Sequence, residues 1–74
     1  MKAVSGKEVI KALCKNGFAL IRQRGSHAHL IKRVGEREFH VTVPVHANKD
    51  LNPFVIRSIA RQAGYGIDEF RKFF

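Results

Sequence analysis

Cysteine, tryptophan, tyrosine and long apolar runs are scarce or absent in this chain of 74 residues. Cys14 is the only cysteine, so no disulfide forms within the chain, and its place near the edge of an apolar helix face predicts a small packing thiol. The absence of tryptophan and the single tyrosine disfavour sequence-specific base reading by aromatic stacking. No apolar run approaches the about 18 residues of a membrane span, and no signal-peptide core opens the chain. We therefore expect a cytoplasmic protein with no membrane partner.

Acidic residues are also few, which makes the chain strongly basic. Six Asp and Glu residues stand against fourteen Lys and Arg residues, and the formal net charge at pH 7 is +8. This excess favours a polyanionic partner, nucleic acid first, because cationic side chains that bind phosphates release the surrounding counterions. The apolar share of 45% is typical of a folded domain rather than of a disordered segment. We place one small domain over residues 1–74.

Capping signals and apolar spacing predict three helices. The first spans about Gly6 to Asn16 and begins with a capping box at Ser5. The second has Asn52 as its N-cap and ends at Gly64. The third is short, with Asp68 as its expected cap.

Three strands are predicted between the first two helices. They run from Phe18 to Arg24, from His27 to Arg33 and from Arg37 to Val43, each bounded by turn residues. Their number and order give an α-β-β-β-α-α chain. An α+β fold is expected, in which a three-stranded antiparallel sheet carries its helices on one face.

The register of the last two strands decides which face is buried. With Gly35-Glu36 as a two-residue loop, Leu30 faces Val41 and Ala28 faces Val43 on an apolar side. A register shifted by one residue buries two imidazoles without evident partners, so the first register is preferred. It leaves five residues on the opposite side, namely His27, His29, Ile31, His40 and Thr42.

The segment Gly25-Ser26-His27 supplies the leading catalytic candidate. Histidine ordinarily exchanges protons near neutral pH, so His27 at a turn beside a phosphate-binding surface is placed for phosphodiester chemistry. Gly25 permits a close approach of the backbone to a ligand. The Ser26 hydroxyl and nearby amides are able to bind an oxyanion.

Other chemistry from the histidines is disfavoured. His27 and His29 share one side of a strand, but no cysteine pair and no gathered carboxylates complete a metal site. His40 and His46 are interpreted as ordinary surface or hydrogen-bonding residues.

A strip of three lysines lies opposite the apolar face of the first helix. Lys7, Lys11 and Lys15 recur every four residues with no acid between them. Such a strip is usually a solvated face. Arg22 and Arg24 on the predicted first strand add further positive charge, which favours a phosphate-tracking surface.

Taken in order, several short segments resemble the HicA-type toxins of bacterial and archaeal toxin-antitoxin pairs. The resemblance covers almost the whole chain, and the Gly-Ser-His segment is its most diagnostic part. The segments are Ser5-Gly6-Lys7-Glu8, Asn16-Gly17-Phe18, Gln23-Arg24-Gly25-Ser26-His27, Val43-Pro44-Val45-His46, Ile56-Arg57-Ser58-Ile59, Gln62-Ala63-Gly64 and Glu69-Phe70.

This resemblance implies a double-stranded-RNA-binding-like fold and an mRNA interferase, a ribonuclease that cleaves mRNA without a metal. It also implies a HicB-like antitoxin as partner and no small-molecule cofactor. His27 matches the histidine on which activity in the family depends, and Gly25 and Ser26 match its preceding turn. His46 matches a frequent position to which no role is assigned. Many members carry a second histidine where this chain has Ala28.

The resulting hypothesis assigns His27 the role of general base on a ribose 2′-hydroxyl or of general acid to the leaving oxygen. The competing hypotheses are a binding module that holds RNA without cutting it and a purely structural interaction domain. The residues expected to contact RNA are Lys7, Lys11, Lys15, Arg22, Arg24, Gly25, Ser26 and His29.

Overall fold

Three helices and three strands follow one another in the order that the capping and turn residues predict. The computed structural model describes residues 3–46 and 49–74. Its elements are α1 (Gly6–Lys15), β1 (Ala19–Arg24), β2 (His27–Val34), β3 (Arg37–Pro44), α2 (Pro53–Ala63) and α3 (Ile67–Arg71). The strands form an antiparallel sheet in the order β1-β2-β3. The expected α+β fold is confirmed, with its double-stranded-RNA-binding-like α-β-β-β-α order followed by the short extra helix.

The helices pack on one face of this sheet. A two-residue loop at Gly35-Glu36 pairs Leu30 with Val41 and Ala28 with Val43, as predicted. All four of these paired side chains are buried. Residues from all three helices join them in a core that consists of Val4, Val9, Leu13, Phe18, Ala28, Leu30, Val41, Val43, Ile56, Ile59, Ala60, Ala63 and Phe70.

Side-chain caps begin the first two helices where the sequence predicts them. The Glu8 amide donates to the Ser5 hydroxyl oxygen at 3.3 Å, and the Ser5 amide donates to the Glu8 carboxylate at 3.3 Å. The Val55 amide donates to the Asn52 side-chain oxygen at 2.9 Å. At the other end of α2, Gly64 adopts a left-handed φ of 84°. Local signals therefore fix the limits of α2 and the start of α1.

Two helix ends differ from the prediction. Asp68 is not the cap of α3, because that helix begins at Ile67 and its N-cap is Gly66, which offers no side chain. The Asp68 carboxylate instead lies 3.7 Å from Arg71. The first helix ends at Lys15, since Asn16 is its C-cap rather than its last residue. None of the helices in the described ranges is long and apolar enough to cross a membrane.

Cys14 is exposed, so its prediction as a packing thiol is wrong. The buried stripe of α1 runs through Val9, Ala12 and Leu13. Ile10, one turn before Cys14 on the same side, is already only half-buried. Cys14 therefore lies beyond the edge of the stripe.

Gly6 brings the start of α1 into backbone contact with the end of β3. Gly6 is buried, and a Cβ atom at this position would collide with the Pro44 carbonyl oxygen. Such overpacking costs about 1–3 kcal/mol, which exceeds the at most about 1 kcal/mol that alanine gains over glycine in a helix. We expect Gly6→Ala to lower the free energy of unfolding by about 1–2 kcal/mol in chemical denaturation. Lys7→Ala at the next, exposed position is the control; equal stability of the two variants contradicts the expectation.

Candidate functional site

A tight turn places His27 at the start of β2. Gly25 has a φ of 54°, in the left-handed region that glycine adopts without strain. The chain therefore reverses within two residues, and Arg24 and His27 become cross-strand partners. The Val45 amide donates to the Ser26 carbonyl oxygen at 2.6 Å. The turn is therefore hydrogen-bonded to the segment that follows β3. His27 itself is exposed at this end of the sheet.

Cross-strand pairing arranges side chains in rows on the open face, which is the sheet face opposite the helices. His27 pairs with Arg24 on one side and with Pro44 on the other, and these three residues form the first row. The second row consists of Arg22, His29 and Thr42. Neighbouring strands are about 5 Å apart, and successive rows are two residues, or about 6.6 Å, apart along a strand. The two rows therefore bring two guanidinium groups and two imidazoles onto one surface.

A β-bulge at Ile21 determines which way the arginines of β1 point. Leu20 pairs with a core residue of β2, and the next pair is Arg22 with His29, so Ile21 is an extra residue without a partner. In an uninterrupted strand Arg22 and Arg24 would share the side of Leu20, because side chains alternate. The extra residue shifts this alternation and turns both arginines to the open face.

The predicted register is confirmed on the open face as well. His27, His29 and Thr42 lie there together with Ile31 and His40, which pair with each other. The sequence places Arg24 near His27 through the turn, but it does not predict the bulge, and so it does not predict that Arg22 lies beside His29. The signal of the bulge was the break in alternation at residues 19–21, where three apolar residues stand in a row.

The lysine strip lies on a different surface from the two rows. It occupies the exposed side of α1, which packs on the helix-covered face of the sheet. Because Gly6 contacts Pro44, the Lys7 end of the helix is near the first row. Lys11 and Lys15 lie one and two turns farther on, about 6 and 12 Å along the axis, beside the last residues of the chain.

Glu38 binds the side chains of Arg33 and His40 farther along the open face. Its two carboxylate oxygens lie 2.7 Å from Arg33 Nη2 and 2.7 Å from His40 Nε2. The hydrogen bond from Arg33, and then that from His40, lower the pKa of Glu38 below its usual value. This carboxylate is therefore ionised at neutral pH and balanced by its neighbours.

The histidines do not assemble into a metal centre in the described part of the chain. Across residues 3–46 and 49–74, no three His, Cys, Asp or Glu side chains are grouped so as to hold a metal ion. His29 Nδ1 lies 3.4 Å from the Thr42 hydroxyl oxygen. His46 follows β3 and is exposed.

Comparison with known proteins gives one family match. A family model described as "HicA toxin of bacterial toxin-antitoxin" matches residues 6–65. The matched part contains α1, the three strands and α2, and it ends before α3. A search of curated proteins found no match to the chain.

Proposed function

Because this chain belongs to the HicA toxin family of bacterial toxin-antitoxin systems, we propose that it is an mRNA endoribonuclease that uses His27 in acid-base catalysis. The observation that carries this proposal is the first row of the open face, where His27 is exposed beside Arg24 at a tight turn. A phosphate bound there meets a proton-transferring group and a cation together. We place the activity in the cytoplasm, where mRNA is translated.

In the proposed reaction the ribose 2′-hydroxyl attacks the adjacent phosphorus, and the bond from phosphorus to the 5′ oxygen breaks. His27 accepts the 2′-hydroxyl proton as general base or donates a proton to the departing 5′ oxygen as general acid. The products are a 2′,3′-cyclic phosphate and a 5′-hydroxyl. Arg24 and the amides at Gly25 and Ser26 stabilise the negative charge that develops on the phosphate oxygens. The nucleophile belongs to the RNA itself, so the scheme needs no cofactor or metal.

Residues on both sides of the first row hold the RNA in this proposal. Lys7 lies near the row, and Lys11 and Lys15 continue the positive charge along α1. Arg22 and His29 form part of the second row on the open face. Lysine and arginine contacts to phosphates do not depend on base identity, so binding weakens steeply with added salt.

An antitoxin is the protein partner that membership of this family implies. We propose that a HicB-like antitoxin silences the enzyme by covering the first row with acidic side chains, since opposite charges steer and orient association. A complex that leaves His27 open and RNA cleavage unchanged contradicts this part of the proposal.

Incubation of the purified protein with a long end-labelled RNA in EDTA tests the activity. We expect discrete fragments at substoichiometric protein, each ending in a 2′,3′-cyclic phosphate. Binding without fragments identifies an RNA-binding module and overturns the proposed activity. Cleavage that stops in EDTA and returns with a divalent cation overturns the metal-independent mechanism.

A further inference from the structure

A shallow hollow of about 400 Å³ lies on the open face, centred one row in from His27. All three strands contribute polar side chains to it, and none of these side chains is acidic. They are Arg22, Arg24, His29, His40 and Thr42. The exposed side chain of the bulge residue Ile21 also lines it. The hollow therefore gathers two guanidinium groups, two imidazoles and a hydroxyl.

This set of donors suits a phosphate. A guanidinium group presents its N–H groups in a planar fork that matches two phosphate oxygens. His29 directs Nδ1 towards the Thr42 hydroxyl, which leaves Nε2 for a ligand. Both arginines reach the hollow only because of the extra residue Ile21 in β1, so the bulge builds this site.

The nearest carboxylate does not cancel the positive charge of the hollow. Glu38 lies on the strand of His40 and binds its Nε2, but the other carboxylate oxygen is occupied by Arg33. The hydrogen bonds from Arg33 and His40 lower the pKa of Glu38, so this carboxylate stays ionised and satisfied. Within residues 3–46 and 49–74, no carboxylate forms an ion pair with Arg22 or Arg24 beside the hollow.

The residues that line the hollow favour the backbone of RNA as its ligand over an acidic protein segment. The centre of a protein interface is rich in aromatic side chains and poor in charge, whereas this hollow has no aromatic ring and five of its eight lining residues are polar, the other three being Ile21, Leu30 and Val41. Its donors cover three rows and three strands, an area of roughly 13 by 10 Å. That area fits one or two phosphates of a single strand, while duplex recognition spans successive grooves.

The residues that line the hollow extend along the strands away from His27 and the bond that is cleaved. His29 is two residues from His27 on β2, or about 6.6 Å. His40 pairs with Ile31, so it lies about four residues, or roughly 13 Å, from His27 along the strand direction. His40 is therefore too far from His27 to act on the same phosphate and is placed to bind the next one, while Arg22 and His29 lie between the two positions.

We propose that the hollow is a binding site for the phosphodiester backbone of single-stranded RNA, adjacent to the phosphate that His27 acts on. It positions the strand and takes no part in proton transfer. In taking RNA as its ligand, the site rests on the proposed function.

Binding of a short fluorescein-labelled single-stranded RNA, followed by fluorescence anisotropy, tests the site without cleavage when every protein carries His27→Ala. We expect Arg22→Gln in this background to lower affinity about tenfold, as loss of a charge-assisted contact does. The slope of log affinity against log salt concentration should become shallower by about 0.7, the value for one phosphate on a single strand. Arg57→Gln removes the same charge from an exposed position on α2 and should change neither quantity appreciably.

Cleavage by the protein with His27 intact separates this proposal from the proposed function. There, Arg22→Gln should raise KM about tenfold with little change in kcat, since it removes a contact made equally before and during reaction. Equal affinities of the Arg22→Gln and Arg57→Gln proteins overturn the site even if the wild type cleaves RNA. Arg22-dependent binding of poly-L-glutamate with unchanged RNA affinity assigns the hollow to an acidic protein and also overturns it. Arg22-dependent RNA binding without cleavage by the wild type supports the site and rejects the proposed function.

Discussion

His27→Ala should lower the rate of RNA cleavage by a factor of about 10²–10⁴, the usual contribution of general acid-base catalysis. His27 is exposed and is not part of the core, so its removal should leave the free energy of unfolding almost unchanged. RNA affinity should also fall little, because the positive charges of the first and second rows remain. Single-turnover cleavage of a labelled RNA, with circular dichroism and anisotropy on the same preparation, measures all three quantities.

Gln23→Ala is the matched control for this substitution. Gln23 lies in the same hairpin, next to Arg24, but it pairs with Ala28 and so points to the opposite side of the sheet. Truncation of this exposed side chain tests whether a change in the hairpin alone slows cleavage. A His27→Ala protein that cleaves as fast as the Gln23→Ala protein removes His27 from the mechanism.

The histidine side of the candidate site was predictable because one loop sets the register of two strands. Once Gly35-Glu36 is a two-residue loop, the pairing of β2 with β3 follows, and so does the face of every side chain on both strands. The alternative register would have left two imidazoles buried without partners, and its desolvation cost rules it out. The sequence therefore predicts that His27 and His29 lie on the open face, and the pairing of β2 with β3 confirms this.

The arginine side was not predictable from alternation. A single extra residue in β1 reverses the face of everything after it, and the sequence marks it only by consecutive apolar residues at Leu20 and Ile21. The position of the lysine strip was also not predictable. Its regular spacing predicts that the three lysines share one face of the helix, but not whether that face lies beside the open face of the sheet. Arg22 proved to be beside His29, whereas Lys11 and Lys15 lie on another surface.

The start of a helix was predictable where a side chain makes the N-cap, and the start of α3, which has no side-chain cap, was not. Ser5 and Asn52 accept amides of their own helices, and such caps leave a mark in the sequence. The N-cap of α3 is Gly66, which has no capping side chain. The prediction of Asp68 as the cap of this helix was therefore wrong. Packing decides instead where α3 lies, through the buried ring of Phe70.

Phe70→Ala should destabilise the protein more than any substitution considered above. Phe70 is fully buried, and its ring centroid lies 6.0 Å from that of Tyr65 and 5.6 Å from that of Phe73. Loss of a buried phenyl ring costs about 3–5 kcal/mol. A stability of about 0.05–0.15 kcal/mol per residue amounts to roughly 4–11 kcal/mol for this chain. The substitution should therefore remove a large share of the total, and Tm should fall by more than about 12 °C.

Phe54→Ala is the matched control, since it deletes the same ring from a position that is 79% exposed at the start of α2. Its free energy of unfolding should change by no more than about 0.5 kcal/mol. Thermal and urea unfolding of the two variants beside the wild type measure the contrast. Equal stabilities contradict the packing described for α3. Helix α3 lies beyond the family match at residues 6–65. The expected contrast would show that it is nevertheless a structural part of the domain, because the buried ring of Phe70 completes the core on which the sheet with His27 packs.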